Sequence, residues 1–311
     1  TVREEHGFMK RGTFHAISAF TIFGIFPVYW KQLGHVPSTQ VLGHRVAWSF
    51  ILVIGLTIAL GRWSSFSTVI RKRTVLLRHA AAALLLGSNW LLYVWAVNHG
   101  FVVETSLGYF INPLLSVALG VIFLGEKLRA LQWTAVGMAA AGVLYLTFLY
   151  GEPPWIALIL AATFGLYGLL KKTSPLGSLD GLALETGILF LPAFIFLLSA
   201  DLNGEGAFLR TGALSTLFMI GAGPVTVLPL LLFASAAQRI PLSMVGIIQY
   251  ITPTMFFLLG VFIYNEPFSM GRLVGFILVW IGLGIIAYDG LKHTKRKPQS
   301  PDQSRVNLTE N

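Results

Sequence analysis

Cysteine is absent from these 311 residues, so disulfides and thiolate metal sites are excluded, while the compartment stays open. Charge is scarce. Asp, Glu, Lys and Arg make up 11% of the chain, against roughly 25% in an average soluble domain. That is too little to cover a soluble surface of this size. Motifs for nucleotides and metals are missing as well. There is no GxxxxGK[ST] loop, which argues against direct ATP drive, no HExxH or Cys/His cluster, and no DDxxD-type acidic pair. No metal site, cofactor or catalytic residue is therefore expected.

What the chain does have is apolar length. Hydrophobic residues make up 55% of it. A bilayer core takes about 20 apolar residues per helix, and the runs predict helices at 13–31, 39–60, 75–97, 105–124, 130–149, 154–170, 181–199, 213–235, 242–264 and 271–289. The runs are too long for strands and lack period-2 alternation, which also excludes a barrel. The expected fold is an all-α integral membrane protein. The first run ends in Trp30-Lys31 with no small-residue cleavage site, so it reads as a retained helix and not a signal peptide.

A net charge of +9 can signal nucleic acid, but here the basic residues cluster in short segments between apolar runs. With the N-terminus inside, 18 Lys and Arg fall on inner segments and only Lys31, Arg210 and Arg272 on outer ones. Arg45 lies within a helix. The positive-inside rule then places both termini in the cytoplasm. The expected partners are a lipid bilayer with anionic headgroups, met by a basic, disordered cytoplasmic tail at 290–311, and a small-molecule solute, with no nucleic acid.

The two halves resemble each other. At an offset of 140, Asn98 meets Gln238, Pro113 meets Pro253, Gly120 meets Gly260, Val121 meets Val261, Glu126 meets Glu266 and Gly142 meets Gly282. At 141, Phe23 meets Phe164, Gly24 meets Gly165 and Lys31 meets Lys172. A five-helix unit is thus used twice, over 13–149 and 154–289. Five is odd, so the second copy enters from the opposite side. Such inverted repeats are a common plan of secondary transporters, with a site between the halves.

Two stretches carry a resemblance. Asn89-Trp90-Leu91-Leu92-Tyr93-Val94-Trp95-Ala96-Val97-Asn98 and Ser106-Leu107-Gly108-Tyr109-Phe110-Ile111-Asn112-Pro113-Leu114 resemble the RarD-type permeases, in the EamA branch of the drug/metabolite transporter superfamily. His44-Arg45-Val46-Ala47-Trp48-Ser49 and Phe123-Leu124-Gly125-Glu126 are similar too. The resemblance covers roughly residues 10 to 290. It implies ten helices, two EamA repeats, cytoplasmic termini and a plasma-membrane location. Such permeases are often labelled by chloramphenicol sensitivity, which does not fix a natural substrate.

Ionisable groups inside a bilayer cost about 2.5–3.5 kcal/mol each at a helix centre, so they line cavities or pair. His44 and Arg45 lie about one and a half turns inside the outer end of helix 2. Arg45 reads either as a contact for an anionic solute or as a snorkelling side chain. Glu104 is a partner for Arg45, as an outer gate or a structural pair. Glu185, near the inner end of helix 7, reads as a proton or cation site, or as a partner of Lys171 or Lys172. His15 reads as a satisfied interface histidine, and His79 has the weaker claim.

A second signal is aromatic and amide. Asn89 and Tyr93, with Trp90 beside them, mark helix 3. Tyr109, Asn112 and Ser116 give helix 4 one polar face. Their equivalents on helix 9 are Gln249, Thr252 and Phe256, with Tyr250 adjacent. Such groups suit a shared cavity or serve as interhelical glue. Pro113 and Pro253, at matched positions, are candidate hinges. Gly120, Gly142, Gly260 and Gly282 read as close helix contacts. Glu126 and Glu266 read as carboxylates capping the next helix, and Trp30, Trp63, Trp133 and Trp155 as interface anchors with no solute role. The expected function is a secondary permease, working by export of a small metabolite or drug-like solute. An intramembrane enzyme, a lipid flippase and a non-transporting scaffold compete with it.

Overall fold

Every described element is helical, as ten long apolar runs require. The computed structural model describes residues 2–99, 101–265 and 270–295; the side chains of Asn98, Glu104 and Arg272 lie outside the described residues, as do Glu266 and the tail from 296. The elements are α1 (Val2–Trp30), a 3-10 turn (Lys31–Leu33), α2 (Ser38–Ala59), α3 (Trp63–Val69), α4 (Arg73–Asn98), α5 (Val102–Leu124), α6 (Ala130–Tyr150), α7 (Trp155–Lys172), α8 (Ser178–Leu202), α9 (Ala213–Arg239), α10 (Leu242–Gln249), α11 (Ile251–Leu258), a π-helical turn (Leu259–Ile263) and α12 (Met270–Lys295). Among the described residues nine helical spans are long and apolar enough to cross a membrane, and the apolar stretch Leu273–Ile286 of α12 makes a tenth. Phe148, Ile122, Phe262 and Leu202 stand more than two-thirds exposed on the outside of the bundle. A soluble surface rarely carries such apolar area; lipid requires it.

Local chemistry sets the helix ends. Pro37, Pro154 and Pro241 stand directly before α2, α7 and α10, where a missing N–H costs nothing. Gly125 and Gly151 end α5 and α6 at φ 64° and 85°, a conformation that favours glycine. Two elements differ from the expected spans. α3 is a short helix where a loop was expected, held by buried Phe66; its single turn or two is below what periodicity detects. The ninth span is not one helix. It breaks at Tyr250, where Pro253 has no N–H to offer the carbonyl of Gln249 four residues earlier. Pro113 instead sits inside the continuous α5.

Contacts between helix ends sort the bundle into two faces. Gly12 of α1 meets Arg239 and Ile240 at the end of α9. Lys172 donates to Ile240 O at 2.7 Å, Glu126 caps α10, and Arg129 pairs with Asp289 of α12. The start of α1 and the late part of α12 thus share one face, which also carries Arg62, Lys127 and Lys171 near helix ends. On the opposite face the Tyr29 hydroxyl donates to Phe218 O at 2.6 Å, and Lys31 lies 3.7 Å over the Tyr264 ring. The matched lysines Lys31 and Lys172 therefore sit on opposite faces, so α1 and α7 run inverted.

The packing pairs respect that inversion. α5 packs on α7 as α1 packs on α10 and α11; α1 on α9 as α7 on α4; α2 on α9 as α8 on α4. The self-matched pairs are α2 with α8, α5 with α10, and α6 with α12. The last pair is close because a Cβ on Gly142 would come within 2.8 Å of Gly275 O, and one on Gly282 within 2.7 Å of Ala135 O. These glycines let two backbones touch.

Candidate functional site

A cavity of about 180 Å³ lies between the halves, in the half of the bundle nearer the opposite face. It is lined by parts of α1, α2, α4, α5, α7, α10 and α11. From α1 come Phe20, Phe23, Phe26, Pro27 and Trp30, at helical spacing on one stripe. α4 supplies Asn89, Trp90 and Tyr93, and α5 supplies Thr105, Gly108, Tyr109 and Asn112. Leu160 and Phe164 come from α7, and Gln249, Thr252 and Phe256 from the broken ninth span. α2 supplies Arg45.

Arg45 is the cation of this wall. Its Nε donates to Thr226 Oγ1 at 2.8 Å. Its guanidinium carbon lies 4.1 Å from the centroid of Trp90, 5.3 Å from Trp30 and 5.6 Å from Phe26. Such stacking contributes about 0.5–2 kcal/mol and leaves the edge of the guanidinium free to donate. No carboxylate among the described residues pairs with it. The side chain of Glu104, the expected partner, lies outside the described residues. Tyr93 and Tyr109 meet edge to face at 6.2 Å, both within electrostatic reach of Arg45, and Tyr109 packs edge-on against Phe256 at 5.0 Å.

The polar groups divide into used and unused. Asn89 donates to Leu160 O at 2.8 Å and Thr163 Oγ1 at 2.9 Å, which ties α4 to α7. Thr252 donates to Phe20 O at 2.9 Å, tying α11 to α1. Asn112 and Gln249 differ: both are more than nine-tenths buried in the wall, and neither Oδ1 of Asn112 nor Oε1 of Gln249 has a hydrogen-bond partner among the described residues.

Three expected residues lie away from the cavity. His44 turns from Arg45 and stacks on Phe208 at 4.9 Å, since successive residues of a helix point about 100° apart. Tyr250 packs with Phe110 and Phe276, its hydroxyl donating to Phe110 O at 3.3 Å. Glu185 lies toward the basic face. It accepts from Lys171 Nζ at 2.9 Å and from the Tyr167 hydroxyl at 3.1 Å, and His79 Nδ1 is 2.7 Å away. All four side chains are almost fully buried. Ser174 reaches the other nitrogen of His79 at 3.2 Å. Pro113 and Pro253 are buried behind the wall; Gly246 packs directly on Pro113 O. His15 meets Ser235 Oγ at 2.9 Å.

Two placements correct the sequence reading. Trp30 lines the cavity and is no mere anchor. Glu126 caps α10, not the next helix: its carboxylate accepts from Leu242 N at 2.6 Å and Ser243 N at 2.8 Å. Gly120 makes room for it, since a Cβ there would come within 2.5 Å of Oε2. The aromatic stripe of α1 is a further part of the wall that the sequence does not reveal. In a helix apolar on every side, aromatic residues facing a cavity look like those facing lipid.

The repeat relates the open half to the closed one. At the offset of 141, Phe26 corresponds to Tyr167 and Trp30 to Lys171; at 140, Arg45 corresponds to Glu185, Tyr93 to Phe233 and Thr105 to Val245. The first member of each pair lines the cavity. The second is packed shut, with Tyr167 stacked on Phe233 at 6.0 Å.

Comparison with known proteins agrees with this architecture. The EamA-like transporter family matches residues 10–148 and again 154–288. The chain belongs to the EamA-like transporter family, and it is a multi-pass membrane transporter. Within that family it is of RarD type. It is 42% identical to "Protein RarD" of Streptomyces exfoliatus, covering 92% of this chain and 91% of that one. It is 40% identical to "Protein RarD" of Escherichia coli K12, covering 93% and 97%. "Uncharacterized transporter YojE" of Bacillus subtilis is 44% identical, with 93% and 97% covered. A solved crystal structure 18% identical shares the fold at a TM-score of 0.67, covering 89% of this chain and 97% of that one.

Proposed function

We propose that the chain carries a small metabolite or drug-like solute by alternating access, with the cavity around Arg45, Tyr109 and Asn112 as its binding site. One observation carries the reading: the cavity lies toward one face, and the repeat counterparts of five of its wall residues, Phe26, Trp30, Arg45, Tyr93 and Thr105, are sealed toward the other. Rocking the two five-helix repeats would exchange these roles. Tyr167, Lys171, Glu185 and Phe233 would then line a cavity on the basic face. In the present state the Lys171–Glu185–His79 cluster acts as a closed gate, tying α7, α8 and α4 together.

The basic face is the cytoplasmic side of the cell membrane in this reading, on the positive-inside rule. The cavity then belongs to the outward-directed state. Export is assigned from the RarD resemblance. The experiment is flux in proteoliposomes across a metabolite panel, with pH gradients imposed. Tyr109→Ala or Asn112→Ala is expected to abolish flux while membrane insertion stays intact. Wild-type flux in both variants would return these residues to packing.

A further inference from the structure

The cavity wall specifies more than a place; it also specifies chemistry. Taking the proposed binding site as the premise, we infer that the solute is a small monoanion with an apolar, ring-sized body and a hydrogen-bond donor near its charged end.

Each part follows from a separate observation. The anion follows from Arg45. Its Nε is committed to Thr226, its face to Trp90, and its two terminal amino groups bond to no described residue. A guanidinium whose carbon lies 4.1 Å over an indole keeps those N–H groups available to grip a carboxylate or similar oxyanion by two parallel bonds. The same charge repels a cationic solute. In an apolar wall that repulsion is weakly screened.

The donor follows from Asn112 and Gln249. Their side-chain oxygens are acceptors, buried and unpartnered, on two helices that meet at the repeat interface. Leaving such acceptors unmade is unfavourable. Other polar groups of the wall are engaged as donors: Asn89 Nδ2 with Leu160 O and Thr163 Oγ1, and the Thr252 hydroxyl with Phe20 O. A solute O–H or N–H would satisfy one of these acceptors, or be shared between the two. Because they sit on α5 and α10, one from each repeat, a solute bonded to both would bridge the halves that must move.

The apolar body follows from the remaining wall, which is aromatic on the α1 stripe and at Phe164 and Phe256. Flat rings pack edge to face against such surfaces.

Four probes separate these elements: 3-phenyllactate carries anion, donor and ring; 3-phenylpropionate lacks the donor; the methyl ester of 3-phenyllactate lacks the charge; phenethylamine is a cation. Binding to the purified full-length protein is read by tryptophan fluorescence, since Trp30 and Trp90 line the site. 3-Phenyllactate is expected to bind tightest. Loss of the charge should weaken binding by about tenfold or more, and loss of the hydroxyl by about three- to tenfold. Arg45→Gln should erase the preference for acid over ester, and Asn112→Leu with Gln249→Leu the preference for phenyllactate over phenylpropionate. The inference is overturned if the ester or the amine binds as tightly as the acid, if none of the four binds, or if the variants keep the wild-type preferences. Uptake of the same probes into proteoliposomes is scored separately. Binding in the expected order without uptake would support the chemistry and count against the carrier reading.

Discussion

At the scale of single residues, a charge in an apolar run is the most legible feature of this sequence, but its role is not. Arg45 and Glu185 both stand out because neither belongs in lipid unpaired. Glu185 pairs with Lys171, one of the alternatives the sequence offered for it, across the short connection between α7 and α8. The pair is fully buried, so removing one partner strands the other. Lys171→Met is expected to lower stability by about 3–5 kcal/mol. Adding Glu185→Leu should recover part of that loss, because a stranded charge costs more than a missing pair. Thermal unfolding in detergent measures both. If the two losses simply add, the pair is not a coupled gate. Trp30 shows the opposite difficulty. A tryptophan at a helix end reads as an interface anchor, and only the folded bundle, which brings Arg45 of α2 within 5.3 Å of its ring, turns it into a wall of the cavity.

At the scale of elements, the existence and type of the spans were readable, because about 20 apolar residues in a row leave few other choices. Their partners were not readable. Glu126 ends α5, and chain order points it at α6, yet it caps α10 across the repeat interface. The carboxylate meets two backbone N–H groups at a helix start, where negative charge is favoured. Glu126→Gln is therefore expected to cost about 1 kcal/mol. Gly120→Ala should cost a similar or larger amount, since its new Cβ displaces the same carboxylate. The combined variant should lose less than the sum, because both changes break one contact. Additive losses in melting experiments would mean that Gly120 serves some other purpose. The break in the ninth span was half legible. Pro253 marks it, but Pro113 at the matched position leaves α5 continuous, so the proline alone does not decide. At Pro113 a neighbouring helix packs close, since a Cβ on Gly246 would come within 2.6 Å of Pro113 O.

At the scale of the whole molecule, the near-constant offset between halves was enough to propose an inverted repeat. It could not reveal which half would be open. That follows from side-chain packing: Phe26 and Trp30 face a cavity, while Tyr167 and Lys171 are sealed against Phe233 and Glu185. The chain contains no cysteine, so a single introduced thiol reports its own position without a background. The most direct test labels Phe26→Cys and Tyr167→Cys with a membrane-impermeant maleimide, in right-side-out and inside-out vesicles. Phe26→Cys is expected to react from the outside only and Tyr167→Cys from the cytoplasmic side only, each more slowly when the other state is favoured. Reaction of both from the same side, or no reaction of Tyr167→Cys from either, would contradict an exchange of access between the two halves.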